Sequence, residues 1–380
     1  MRRTIFTEEH ELFRETARTY YLRECAPYAA QWERDGQVSR AAWAAAGKAG
    51  LIGWELPEEY GGQDIHDFRY NAIMAEEMAA TGSVGIGLGL QNDVLPPYLA
   101  RLTTEEQKAR WLPGVVSGET VCALALSEPG AGSDLRAIST TARREGDQWV
   151  VDGSKTFITN GILADLVVVA CKTDPQAGHK GISLIVVERG AEGFERGRKL
   201  DKVGMKAQDT AELFFHQVRV PAENLIGQEG RGFYHMMQNL PTERLAIAVS
   251  SLAAAERAFE ITLEYAKSRT AFGQPIGSFQ ANRFALADVR AKLNAARGYV
   301  DGCIMALVDG HLTADDAAAA KYWTSETSWQ VIDRCLQLFG GYGYVNEYEI
   351  ARIWRDNRVQ RVFGGTSEIM QEIVGRSLGL

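Results

Sequence analysis

The sequence predicts an α+β fold in which an N-terminal helical domain, a small middle β domain and a C-terminal helical bundle follow one another. Three observations lead to this prediction: helical spacing of apolar residues up to about Gly118, β-branched and aromatic runs from about Thr120, and long Ala-rich helical stretches beyond Glu229. The middle domain is expected to form a barrel-like or sandwich sheet, and the last domain a four-helix bundle. The expected domain bounds are 1–119, 120–227 and 228–380.

Helical periodicity begins directly after Thr7. Phe13, Ala17 and Tyr20 follow one another at spacings of four and three residues and, with the neighbouring Leu12 and Tyr21, predict a helix over 8–25. Thr7 is a suitable N-cap because acidic residues follow it in the first turn. Further helices are predicted over 40–49, 68–80 and 104–116, with turn signals at 58–62 and 96–97.

The middle region is predicted to be all-β because its apolar runs are short, β-branched and bounded by Gly, Asp or Pro. Turns at 145–147 and 152–153 link neighbouring strands at hairpin distance. The predicted strands are 148–159, 166–171, 182–187 and 211–215. The helices predicted after them, over 242–268, 278–308 and 313–339, are rods of about 40 Å at ~1.5 Å per residue.

Composition and charge exclude several classes of protein. Among 380 residues, 41 Lys and Arg stand against 49 Asp and Glu, a net charge of −8, which disfavours a nucleic-acid partner. No apolar stretch approaches the ~18 residues of a membrane span. Acidic residues follow closely on the N-terminus and interrupt the apolar stretch that a signal peptide requires, so we expect a cytoplasmic protein. Neither the five cysteines nor the six histidines show metal-ligand spacing, so we assign no metal.

A glycine-containing loop over 128–134 follows an apolar run, and its glycines would let backbone N–H groups approach a ligand. The loop lacks the Lys-Ser/Thr of a P-loop, and Leu135 stands where a dinucleotide fingerprint has its third glycine. A simple strand-ending turn is the equally plausible alternative.

Glu243 is a candidate general base near the expected start of a long helix at 240–244. It shares a helix face with Ile247 and Ser250, so its carboxylate is expected in an apolar region where desolvation raises the pKa. The alternative is an ordinary acid near a helix N-terminus, stabilised by the macrodipole. The segment 363–368 is predicted to form a tight turn that ends in the N-cap of a helix. Such a turn can bind an anion or a carbonyl oxygen, or it can serve only to cap the helix.

Six segments follow one another along nearly the whole chain: Ser127–Asp134, Gly153–Gly161, Gly204–Thr210, Ser268–Gly273, Gln337–Gly341 and Gly364–Glu368. Together they resemble the acyl-CoA dehydrogenase family. The segments Gly204–Phe215 and Phe233–Leu245 look most like its long-chain branch. The helical, β, helical order agrees with the fold of that family.

The resemblance implies FAD bound between the β domain and the bundle, with a CoA thioester on the other face of the flavin. Residues that match the flavin pocket are Leu124, Leu126, Ser127, Ser133, Phe157, Ile158, Thr159, Thr366 and Glu368. Residues that match contacts to the FAD of a neighbouring subunit, and so imply a homodimer or dimer of dimers, are Arg269, Phe272, Gln280, Gln337 and Gly341. Residues that match the acyl-thioester and pantetheine path are Ser133, Tyr234, Thr242, Arg244, Gly364 and Gly365.

One departure from the family pattern bears on mechanism. Many members carry the catalytic Glu immediately before the Gly-Thr pair, where this chain has Gly364. The long-chain and isovaleryl branches place the base on the long helix, at the position that Glu243 matches. The resemblance then implies α-proton removal by Glu243 with hydride transfer from the β-carbon to flavin N5, giving a trans-2-enoyl thioester.

The main hypothesis is therefore an FAD-dependent acyl-CoA dehydrogenase that passes electrons to an electron-transfer flavoprotein. One alternative is a dehydrogenase or oxidase acting on an acyl group tethered to a carrier protein. A second alternative, from a different class, is a non-catalytic flavin-binding subunit, which the glycine at position 364 suggests and Glu243 argues against.

Overall fold

The computed structural model describes residues 3–83 and 85–380. The N-terminal part is helical, as predicted. Its helices are α1 (Glu8–Tyr20), α2 (Ala29–Asp35), α3 (Arg40–Lys48), α4 (Phe68–Ala80), α5 (Pro96–Arg101) and α6 (Glu105–Ser117).

Helix α1 is capped by Thr7, which exchanges hydrogen bonds with His10 in a capping box. The prediction of one helix over 8–25 was wrong at its end, because Tyr21–Cys25 forms a π-helical turn. A second π-helical turn, Leu90–Val94, directly precedes α5.

The middle part forms one mixed sheet in the spatial order β6-β7-β3-β2-β4-β5-β8, with β1 parallel to β4. Strands β4 and β5 are buried on both faces and form the centre of the core, as their continuous apolar runs predict. The strands are β1 (Cys122–Ala125), β2 (Thr141–Glu145), β3 (Gln148–Thr159), β4 (Leu166–Lys172), β5 (Ile182–Glu188), β6 (Phe194–Lys199), β7 (Thr210–Pro221) and β8 (Leu225–Ile226).

The C-terminal bundle is built around the long helix α7, which packs against α4 and two further long helices. Its core is continuous from Leu245 on α7 to Val300 and Ile332 on the neighbouring helices. The elements are α7 (Gly232–Ser268), the short hairpin β9 (Thr270–Ala271) and β10 (Gln274–Pro275), α8 (Gln280–Val308), α9 (Ala314–Phe339), α10 (Glu349–Asn357) and α11 (Ser367–Ser377).

The expected start of α7 near residue 242 was wrong. The helix begins ten residues earlier, at Gly232, and continues through Pro241. Proline removes one backbone donor and crowds the preceding turn, but a helix of 37 residues packed on several partners retains its other bonds. Glu243 therefore lies inside a helix and not at its first turn.

A buried ion network joins the N-terminal segment to the bundle. Glu76 on α4 accepts from Arg14 on α1 at 3.0 Å, from Arg3 at 2.9 Å and from Arg297 on α8 at 2.8 Å. Burial alone would raise the pKa of Glu76, but Arg297 and Arg3 outweigh it and lower that pKa. The network holds α1, α4 and α8 in one arrangement around α7. Over the described residues, no helix combines the length and apolar character that a membrane crossing demands.

Candidate active site

The segment that follows β1 is fixed to β3 through its main-chain carbonyls. The Thr156 N–H donates to the Ser127 carbonyl at 2.9 Å, and Lys155 Nζ donates to the Leu126 carbonyl at 3.0 Å. Leu124 and Leu126 are only partly buried, although the other residues of β1 are buried. The sequence-predicted residues of β1 and β3 thus meet at one sheet surface.

A buried ion pair lies beneath that surface. Lys155 Nζ contacts Glu128 Oε1 at 2.8 Å, and the carboxylate also accepts from the Ser139 N–H at 2.6 Å and the Thr140 N–H at 3.0 Å. Burial opposes ionisation, yet Lys155 and these donors lower the pKa of Glu128 to about 2. The 128–134 loop is therefore held at its root, while Ser133 near its tip is exposed.

Phe157 is aimed outward by an irregularity in β3. The pairing of β3 with β7 shifts between Lys155 and Ile158, and Phe157 in that shift has φ of 60° and a 70% exposed side chain. Ile158, predicted to contact a ligand, has its side chain in the sheet core at 2% exposure, so that only its main chain can do so. Thr159 is partly buried.

This surface fits a flat aromatic ligand. An outward phenylalanine and two partly uncovered leucines provide apolar area, and Gly130 and Gly132 have no neighbouring atom near the position of a β-carbon. A ring system such as the isoalloxazine of FAD could cover the apolar area, and the open loop leaves room for the rest of the cofactor.

Glu243 is partly buried in the interior of α7, eleven residues beyond Gly232, so the macrodipole alternative does not apply. The Tyr98 hydroxyl on α5 lies 3.5 Å from Glu243 Oε1. Removal from water raises the pKa of Glu243 to about 7, although Arg244 and the Tyr98 contact act in the opposite direction. A carboxyl group with this pKa is suited to accept a proton near neutral pH.

The loop before α11 faces the same turn of α7. Gly364 and Gly365 have φ of 64° and 98°, a region that disfavours residues with a side chain. A β-carbon at position 364 would collide with Ile247 Cδ1, and Ile247 is one helical turn beyond Glu243. Gly364 and the Glu243 carboxylate thus border the same space.

Lys321 on α9 is a residue that sequence reasoning missed. Its side chain is fully buried, and Nζ donates to the Gly365 carbonyl at 2.5 Å. Burial lowers the pKa of Lys321 to about 8, and the nearby Arg244 cation contributes to this shift. The available signal was a single lysine directly after four alanines at 317–320 on a predicted core helix.

Arg244 is also buried, and burial lowers its pKa while Glu243 partly compensates. Its Nε has no hydrogen-bond partner within residues 3–83 and 85–380. Thr366 caps α11 by accepting from the Ile369 N–H at 3.4 Å, and Glu368 in the first turn is exposed. Arg244, Glu243 and Lys321 therefore form a buried charged group beside the 364–366 loop.

Two predicted substrate contacts lie near the start of α7. Tyr234 is 47% exposed, its hydroxyl accepts from Gln238 at 2.8 Å, and the Arg231 guanidinium stacks over its ring at 4.3 Å. Thr242 is partly buried next to Glu243.

The remaining predicted residues form a second, distant group. Arg269, Gln337 and Gly341 line a recess of about 630 Å³ at the other end of α7. Arg269 follows Glu243 by 26 residues, a distance of about 39 Å along a helix. Phe272, with φ of 52° and 96% exposure, and the exposed Gln280 lie outside the recess lining.

Comparison with known proteins identifies the family. Three family profiles match: the acyl-CoA dehydrogenase N-terminal domain over residues 7–119, the middle domain over 123–218 and the C-terminal domain over 230–379. The mouse (Mus musculus) mitochondrial long-chain specific acyl-CoA dehydrogenase is 45% identical over 99% of this chain and 88% of its own length. A 3-(aryl)acrylate reductase from Clostridium sporogenes (strain ATCC 15579) is 37% identical over 98% of this chain and 99% of its own length.

Comparison with solved structures indicates the same family. The crystal structure of an acyl-CoA dehydrogenase from Geobacillus kaustophilus superimposes with a TM-score of 0.96 at 48% identity, covering 99% of both chains. Family profiles match all three parts of the chain, and the identities to relatives are well above 30% along nearly its whole length. The chain belongs to the acyl-CoA dehydrogenase family of oxidoreductases.

Proposed function

We propose that the protein catalyses FAD-dependent α,β-dehydrogenation of an acyl-CoA thioester to the trans-2-enoyl thioester, with Glu243 accepting the α-proton. The observation behind this proposal is the Glu243 carboxyl group, whose pKa is about 7, beside the space left open at Gly364. A base on the helix replaces one that the loop cannot carry. The names of the long-chain relatives agree with this reaction.

The proposed FAD pocket uses the surface of β1 and β3 together with the cap of α11. When bound, FAD supplies the acceptor for the hydride that leaves the β-carbon. Its proposed contacts within one chain are Leu124, Leu126, Ser127, Ser133, Phe157, Ile158, Thr159, Thr366 and Glu368. The proposed contacts to the FAD of a neighbouring chain are Arg269, Phe272, Gln280, Gln337 and Gly341.

The remaining side chains position the substrate. Gly364 retains its main-chain N–H, which can polarise the thioester carbonyl as an oxyanion hole does. Tyr234, Thr242, Arg244 and Gly365 are proposed along the thioester path, with Ser133 at the junction with the flavin. Holding Glu243 next to the α-carbon makes proton removal effectively unimolecular.

Anaerobic mixing with saturated acyl-CoAs of increasing chain length tests the proposal. Bleaching of the flavin absorbance and release of the 2-enoyl thioester are expected. Bleaching only with carrier-protein thioesters would support the tethered alternative. A flavin that stays oxidised with both classes would support the non-catalytic alternative.

The family likeness also supports further proposals. We propose an electron-transfer flavoprotein as acceptor, a dimer of dimers as assembly, and the divisions 1–119, 120–227 and 228–380 as domains. We also propose the cytoplasm as the location.

Lys321→Met is expected to lower the rate of flavin reduction about tenfold or more, because the Gly365 carbonyl loses its donor and the loop shifts. FAD content should stay near one per chain. Stopped-flow measurement at saturating acyl-CoA gives the rate constant of flavin reduction. A separate measurement of the acyl-CoA dissociation constant shows whether binding has changed. Lys292→Met, at a half-exposed lysine of α8, is the control. A purely structural role for Lys321 would lower FAD content and stability without lowering the rate per flavin.

Arg269→Ala is expected to weaken FAD retention by disturbing a contact between subunits. Arg269 is exposed at the 630 Å³ recess, far along α7 from Glu243, where a guanidinium could bind a phosphate bidentately. Flavin content after gel filtration at decreasing protein concentration measures the effect. Arg198→Ala, which removes an exposed charge on β6, is the matched control. Equal flavin content and equal oligomer size in both variants would contradict the prediction.

A further inference from the structure

Helix α5 is anchored at both ends. Before it, the π-helical turn Leu90–Val94 is held by the buried amide of Gln91, which accepts from the Cys122 N–H on β1 at 3.0 Å. After it, the Leu102 carbonyl accepts from the Gly227 N–H, shortly before α7, at 2.7 Å. Turns of the π-helical kind are frequent beside functional sites. The side chains of α5 therefore have fixed positions relative to β1 and α7.

Tyr98 extends from α5 to the candidate base. Its side chain is 1% exposed and belongs to the same apolar cluster as Leu99, Trp111 and Met236, so the ring has little freedom to turn away. Its hydroxyl lies 3.5 Å from Glu243 Oε1. A closely packed ring thus presents one polar group to the carboxylate.

The Tyr98 hydroxyl is a donor toward the ionised form of Glu243. Burial and the charge of Glu243 raise the pKa of Tyr98 well above its ordinary value, so the hydroxyl keeps its proton. An ionised carboxylate has no proton to donate and must accept. A hydrogen bond from Tyr98 therefore favours the ionised carboxylate and lowers the pKa of Glu243.

Other polar groups face this pair from α7 and α9. On α7, Arg244 also lowers the pKa of Glu243, and Asn239, one turn before Glu243, interacts with the Tyr98 hydroxyl and lowers the pKa of Tyr98. On α9, Lys321 is close enough to Arg244 for that cation to lower the pKa of the lysine. Within residues 3–83 and 85–380, Tyr98 is the only side chain that donates a hydrogen bond to the Glu243 carboxylate.

We propose that Tyr98 is a positioning residue for the base: its hydroxyl donates to Glu243 Oε1 and leaves Oε2 to accept the α-proton. The inference rests on the proposed function and adds a second residue to it. The contact of 3.5 Å is long for a hydrogen bond to a carboxylate, and such contacts often shorten when substrate binds. A fixed donor on one oxygen restricts rotation of the carboxylate, which aligns the other oxygen with the reacting carbon.

Tyr98→Phe tests the proposal because it removes the hydroxyl and keeps the ring. In the holoenzyme, the second-order rate constant of anaerobic flavin reduction by acyl-CoA should still rise with pH. The midpoint of that rise should be higher than in the wild type by about 0.5–1 pH unit, because the carboxylate has lost one hydrogen bond. The variant should be about three- to tenfold slower near pH 6 and recover toward the wild-type value at high pH. A role confined to packing would lower the rate by one factor at every pH, and that result would overturn the proposal.

Tyr60→Phe is the matched control, because Tyr60 donates to Glu105 at 2.9 Å on the surface. Its pH profile should coincide with that of the wild type. Asn239→Leu, which retains Tyr98, serves if the phenylalanine variant fails to fold. It should raise the midpoint as well, since the Tyr98 hydroxyl becomes a weaker donor when its pKa rises further. An unmoved midpoint would count against the proposal.

Infrared difference titration of the holoenzyme detects the same contact without turnover. The carboxyl band that disappears in Glu243→Gln should titrate near pH 7 in the wild type and at higher pH in Tyr98→Phe. Equal midpoints in these two proteins would contradict the hydrogen bond. If acyl-CoA never reduces the flavin but the midpoint still rises in Tyr98→Phe, the proposed reaction fails and the contact between Tyr98 and Glu243 stands.

Discussion

Glu243→Gln is expected to lower the rate of anaerobic flavin reduction by acyl-CoA by about 10²-fold or more. The amide keeps the size of the side chain and its position beside Tyr98, but it cannot accept the α-proton. FAD content, oligomer size and acyl-CoA affinity should therefore stay near the wild-type values. Stopped-flow absorbance at saturating substrate measures the effect.

The pH dependence provides an independent check. The pKa of Glu243 is raised to about 7, and only the ionised carboxylate accepts a proton, so the wild-type rate should rise as pH increases through about 7. The glutamine variant should lack this rise. Because substrate binding displaces water and can move the pKa further, the rise through about pH 7 is expected in the second-order rate constant at low acyl-CoA concentration, which reports the free enzyme.

Glu372→Gln is the matched control, since Glu372 is exposed on α11 and pairs with Arg376 four residues later. It should reduce its flavin at the wild-type rate. A Glu243→Gln protein that keeps FAD and also reduces it at the wild-type rate would assign the base to another residue.

Lys155→Met is expected to lower the free energy of unfolding by about 3–5 kcal/mol, because it leaves the buried Glu128 carboxylate without its counter-ion. The Leu126 carbonyl also loses its donor, so the surface proposed for FAD should loosen and flavin content should fall. Urea denaturation followed by circular dichroism measures the first effect, and the absorbance ratio of flavin to protein measures the second.

The free energy of unfolding should depend on pH, because the pKa of Glu128 is about 2 and lies below its ordinary value of about 4.5. The stabilisation by this group is complete above the ordinary pKa and is lost as pH falls from there toward 2. Lys155→Met should lose much of this acid dependence.

The double variant Lys155→Met with Glu128→Gln should recover part of the stability, because no unpaired charge then remains buried. Equal unfolding free energies for wild type and Lys155→Met would show that the main-chain donors at Ser139 and Thr140 suffice for the carboxylate.

The order of helical, β and helical parts could be predicted because the spacing of apolar residues changes with the type of element. The start of α7 could not, since Pro241 normally signals a helix boundary. Whether a helix tolerates a proline depends on the packing of the rest of its length, which is not a local property. Similarly, a register shift in β3 turned the Ile158 side chain into the core.

Glu243 could be proposed from sequence because the missing carboxylate at position 364 left a role to be filled. The contributions of Lys321 and Lys155 could not be predicted in the same way. Each depends on a group far away in the chain, as when Lys321 reaches the Gly365 carbonyl 44 residues later. A buried lysine is indistinguishable from an exposed one until its partner is placed.

The length of α7 has a mechanical consequence. One continuous helix carries Glu243 near one end and Arg269 at the other, so a single stiff rod would take part in two catalytic centres of the proposed assembly. If that helix bent or slid on substrate binding, its contacts to the flavin of the adjoining subunit would shift as well. Communication between the two centres would then require no loop movement, only the rigidity of a helix.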